Sequence, residues 1–107
     1  MAPVSRENEH RAVVARLWQE HLDAKFPAGL RGAELMGIDM VMLDADVAGC
    51  VSAWRANSSA LDPNRRRILH NCIADLDMVL PVLTTAEDFR YYQRLRHLAV
   101  LTSEAGS

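Results

Sequence analysis

Residues 36–54, MGIDMVMLDADVAGCVSAW, and residues 62–83, DPNRRRILHNCIADLDMVLPVL, decide the fold. In the first stretch Met36, Met40, Leu43, Val47, Cys50 and Trp54 recur at spacings of 4, 3, 4, 3 and 4, the apolar repeat of a helix that buries one seam. In the second, Asp62 stands as an N-cap and Pro63 at the first helical position, where a missing amide costs nothing and the fixed φ suits the helix. Its seam is Leu69, Cys72, Leu76, Val79 and Leu83, widened by Ile68, Ile73 and Leu80. The loop around residue 60 is short enough to require an antiparallel return, so facing residues should keep a constant index sum. Trp54 with Ile68, Cys50 with Cys72, Val47 with Leu76, Leu43 with Leu80 and Met40 with Leu83 all give 122 or 123. The two cysteines then share one level, where small side chains and Gly49 permit close approach.

Working outward, the pattern predicts a first helix over 6–24, with Ser5 as N-cap and Pro27 beyond its end. Val13, Val14, Leu17, Trp18 and Leu22 fill about half of its circumference, more than one neighbour needs. The second helix is placed over 33–57; Gly37 leaves its start loosely defined, and Asp44 is an alternative N-cap for a shorter version. The third covers 62–80, where Pro81 stops or kinks it. The fourth covers 85–102, opened by Thr84 with Glu87 three residues on, and turns Phe89, Tyr91, Tyr92, Leu95, Leu98 and Ala99 inward. The reading is all-α: one antiparallel four-helix bundle over 1–107, with 1–5 and 103–107 as frayed tails.

Composition narrows the function classes. A chain of 107 residues, 50% apolar and 24% charged, makes a single domain that needs no metal or disulfide to fold. Twelve basic and 14 acidic residues leave a net charge of −2, so no global field favours nucleic acid or anionic lipid. No run approaches the 18 apolar residues of a membrane span, and residues 1–10 contain no signal core, so the expected location is cytoplasmic. Cys50 and Cys72 form no CxxC motif. Phosphate-binding glycine loops, GxSxG and HExxH are missing, and neither a cofactor nor a bound metal is expected.

The remaining candidates are surfaces and side-chain clusters. His10 and His21 both project to the apolar side of the first helix, about 16 Å apart along it, too far to ligate one ion. His21 is placed to meet a carboxylate from another helix as a pH-sensitive contact. A ligand-sensing or catalytic pocket would be lined by His21, Trp54, Tyr91 or Tyr92 and a carboxylate of the second helix, and would show as a cavity on which these tips converge. Asp39 and Asp46 share one face of the second helix and Asp77 falls near Asp46 in height, but a solvated acidic face is the simpler reading. Arg65, Arg66 and Arg67, with the stripe Arg90, Arg94 and His97, offer a face for an acidic partner or a phosphate backbone. The favoured expectation is a non-enzymatic interaction protein, a homodimer or the binder of a protein partner, using the surplus apolar surface of Val13, Val14, Leu17, Trp18 and Leu22.

Overall fold

The computed structural model describes residues 6–57 and 60–105. Helices α1 (Arg6–Asp23), α2 (Met40–Ala56), α3 (Pro63–Val79) and α4 (Ala86–Ala105) pack against one another, α4 touching the other three. Single 3-10 turns lie at Ala28–Leu30 and Leu80–Val82. The antiparallel all-α bundle predicted from the sequence is therefore the observed architecture. Of the expected frayed ends, residues 1–5 and 106–107 lie outside the described residues, whereas 103–105 continue α4 three residues past its expected end.

The second helix departs from expectation. Instead of starting near residue 33, the chain makes a small hairpin, β1 (Glu34–Leu35) with β2 (Ile38–Asp39), in which Glu34 faces Asp39 and Leu35 faces Ile38. Met36 and Gly37 form its two-residue turn with φ of 54° and 77°, both in the left-handed region. Two positive φ values suit the mirror-image turn whose twist matches a hairpin, and they are incompatible with a continuous helix. Met36 thus leaves the helical seam and stands at the turn, 58% exposed. Asp39, not Asp44, caps α2: its Oδ1 accepts from the amides of Val41 and Met42 at 3.0 Å each. The Met40 amide donates to the Ala33 carbonyl at 3.1 Å, which ties the hairpin to the helix start.

The other boundaries follow local chemistry closely. Asp62 accepts from the Arg65 amide at 2.8 Å with Pro63 in the first turn. α3 ends at Val79, and the 3-10 turn at Leu80–Val82 accommodates Pro81. The cap of α4 is Thr85, whose Oγ1 accepts from the Asp88 amide at 3.1 Å, one residue later than the Thr84 and Glu87 pair expected.

The core lies along both predicted seams. Met40, Leu43, Val47, Cys50 and Trp54 of α2 and Leu69, Cys72, Leu76 and Val79 of α3 are all buried, with Tyr91, Tyr92, Leu95, Leu98 and Ala99 of α4 closing over them. Phe89, expected inside, is 38% exposed in the first turn of α4. Gly49 does not mediate the α2–α3 approach: a Cβ there would meet nothing within 4 Å. Both thiols are free and buried. Cys50 Sγ donates to the Arg65 carbonyl at 3.5 Å, nearly two turns before Cys72.

Cross-helix contacts fix the polarity. His21 meets Asp44 and Tyr91, and Tyr92 meets Met40, so the end of α1, the hairpin, the start of α2, the end of α3 and the start of α4 gather at one end of the bundle. His10 donates to the Leu101 carbonyl and His70 meets Ser103 at the opposite end. The former is called the hairpin end below.

Candidate functional site

At the hairpin end one carboxylate joins three helices. Asp44 lies one turn into α2, and its Oδ1 accepts from His21 Nε2 of α1 at 2.8 Å. Its Oδ2 accepts from the Tyr91 hydroxyl of α4, also at 2.8 Å. The cluster is shielded on several sides: Trp18 stacks near the imidazole at 6.2 Å between centroids, and Phe26 meets Tyr91 edge-on at 5.6 Å. His21 Nδ1 is buried with no hydrogen-bond partner among the described residues. Burial first, then the hydrogen bond to Asp44 and its charge, raise the pKa of Tyr91 well above that of a free phenol. The phenol therefore stays protonated as a donor, and with both Asp44 oxygens occupied the cluster acts as a clamp between α1, α2 and α4. The carboxylate that meets His21 from another helix is Asp44.

The other residues of the expected pocket do not join it. Tyr92 donates to the Met40 carbonyl at 2.7 Å, a buried tie between α4 and the start of α2. Trp54 is buried ten residues along α2 from Asp44, about 15 Å away. Its distance follows from the helical rise, so Trp54 packs the core and lines no site with His21.

Around Tyr91 the surface is cationic. A depression of about 230 Å³ is lined by Ala24, Lys25, Glu87, Arg90, Tyr91 and Arg94. Arg94 holds its guanidinium 5.6 Å from the centre of the Tyr91 ring, a cation–π contact. Arg90 and Arg94 also line a larger groove of about 690 Å³ that passes Gln93 and His97 over a floor including Leu17 and Val100. Arg96, on the same groove, is paired with Asp77 at 2.6 Å. Lys25, Arg90 and Arg94 form no ion pair among the described residues, and Glu87 does not pair with Arg90.

The arginine run of α3 belongs elsewhere. Arg65 pairs with Asp62 at 2.5 Å, Arg67 donates to Asn64 at 2.8 Å, and half-buried Arg66 lies between them. His70, one turn on, meets Ser103, which is thirteen residues and about 20 Å along α4 from Arg90. Arg65, Arg66 and Arg67 therefore do not form one face with Arg90, Arg94 and His97. The acidic residues also disperse, Asp39 to the α2 cap and Asp77 to Arg96. Among the described residues no group of three or more His, Cys, Asp or Glu side chains is placed to hold a metal ion.

The apolar arc of α1 is used inside the subunit. Val14 and Leu17 are buried, while Val13 and Trp18 pack half-buried against the same core, because α1 lies on α4. Only Leu22 of the expected interface is exposed, at 57%. The exposed large apolar side chains are Leu22, Met36, Val41, Met42, Met78, Val82 and Phe89; periodicity places Leu22, Met36 and Phe89 on apolar faces and singles out none of the other four. Each lies at the last turn of α1 or α3, at the first turn of α2 or α4, or in a connection between them. That is the hairpin end in every case.

No described helix is long and apolar enough to cross a membrane. No protein-family model, curated protein or solved structure matches the chain.

Proposed function

We propose that this protein is a non-enzymatic interaction domain that pairs with a second copy of itself through the hairpin end of the bundle. One observation carries the reading: among the described residues, all the exposed large apolar side chains collect there. Exposed apolar groups gathered in one region, rather than scattered singly, mark contact surfaces. Three of the seven are methionines, whose unbranched side chains adapt to a partner. Met36 adds a second sign, because a non-glycine residue is held at φ 54° where Gly or Asn is preferred, and its side chain faces solvent. Charge favours a copy of the same chain. Exposed Asp23, Arg31 and Glu34 all belong to the hairpin end, which thus carries both signs of charge, and a two-fold related copy can set opposite signs against each other.

Sedimentation velocity from about 1 to about 100 μM covers the affinity range of such an association. The expected result is a mass-action shift from 11.9 kDa to twice that mass. A variant carrying Met42→Glu and Val82→Glu stays monomeric across the series with unchanged helical circular dichroism. A wild-type chain that remains monomeric at the highest concentration overturns the proposal.

A further inference from the structure

We infer that Lys25, Arg90 and Arg94 form a binding site for a phosphate-type oxyanion. The three cations line one depression beside Tyr91, opposed on its rim by the single carboxylate of Glu87. None has an ion-pair partner among the described residues, unlike Arg65 and Arg96, which carry their own. Arg94 is held in place by the Tyr91 ring, and its Nε is buried with no hydrogen-bond acceptor among the described residues. An oxyanion seated against the outer nitrogens of this guanidinium supplies acceptor oxygens where the described residues supply none. Charge and size select the ligand class. A phosphate monoester carries about −1.5 to −2 charges and three acceptor oxygens, a match for three cations, whereas a carboxylate offers one charge and two oxygens. At about 230 Å³ the depression falls below the roughly 300–1,000 Å³ of pockets that enclose whole organic ligands, so it holds a phosphate group and leaves the rest of the molecule outside.

The site is complete within one subunit, and its test uses the whole chain. Thermal unfolding is followed in inorganic phosphate and in chloride of equal ionic strength, with ³¹P line broadening as a direct binding signal. Phosphate in several-fold excess over its Kd raises Tm by about 5 °C relative to chloride. The double variant Lys25→Gln with Arg90→Gln, both exposed positions, loses the shift and the broadening. Arg65→Gln with Arg67→Gln, at the far end of the bundle, keeps both. A phosphoserine peptide that binds at least tenfold more tightly than inorganic phosphate assigns the anion to a protein chain, and equal affinity assigns it to a free phosphate compound. No shift over chloride, or a shift that survives in Lys25→Gln with Arg90→Gln, overturns the inference.

Discussion

Asp44 accepts a hydrogen bond on each carboxylate oxygen, so its removal leaves the buried His21 and Tyr91 with only their long 3.4 Å contact to each other. Asp44→Ala should cost about 3 kcal/mol in urea unfolding, and Tyr91→Phe, which removes one donor along with its bond, about 1 kcal/mol. Thr102 presents the opposite case. It is fully buried in α4 and its hydroxyl has no hydrogen-bond partner among the described residues, so Thr102→Val, nearly the same shape, should stabilise the fold by about 1 kcal/mol. Ionisation sets the alkaline limit. Burial, reinforced by Asp46 and Cys50, pushes the Cys72 thiol from 9.0 up to about 12, and burial also raises Cys50, Tyr91 and Tyr92. A group whose folded pKa is raised contributes stability fully present below its unfolded value and lost as pH rises toward the folded value. Stability should therefore be flat with respect to these groups below pH 9 and fall above it, thiols first and phenols next. A urea midpoint that increases between pH 9 and 11 would contradict this assignment.

Two glycines show how the elements were set and how far they could be read. Gly49 lies in exposed helix where a Cβ has open space, so Gly49→Ala should stabilise by about 1 kcal/mol. Gly37 sits at φ 77° in the hairpin turn, so Gly37→Ala should cost about 1 kcal/mol instead. Thermal melts of the two variants must move in opposite directions. The heptad seams of α2 and α3 were legible because their buried faces repeat at helical period, and the Asp62 and Pro63 start because capping is local chemistry. The hairpin was not. Strands of two residues carry no alternation to read, and Met36 happens to continue the seam in phase, so the turn signal at Gly37 was outweighed by periodicity. In the clamp, His21, Tyr91 and a carboxylate of α2 were each visible as candidates. Face alone groups Trp54 with them, although its ten-residue separation from Asp44 on one helix already sets it about 15 Å away. The exposed apolar end was hidden for a related reason: Leu22, Met42 and Met78 are far apart in sequence, and the antiparallel topology brings them to one level.

The molecule extends 48 × 28 × 21 Å, and among the described residues the exposed large apolar groups are confined to one end of the bundle. Pairing through that end predicts an elongated dimer in which the two hairpins approach each other and the two loops near residue 60 are held far apart. The buried native thiols, 3% and 4% exposed and shifted toward the protonated form, leave an introduced surface cysteine as the group that reacts with a spin label. The most direct measurement is therefore pulsed dipolar spectroscopy on two singly labelled variants, Met36→Cys at the hairpin and Arg55→Cys near the end of α2. The account predicts strong intersubunit coupling for the Met36→Cys label and little or none for the Arg55→Cys label. Coupling of equal strength at both positions, or stronger coupling at Arg55→Cys, would contradict it.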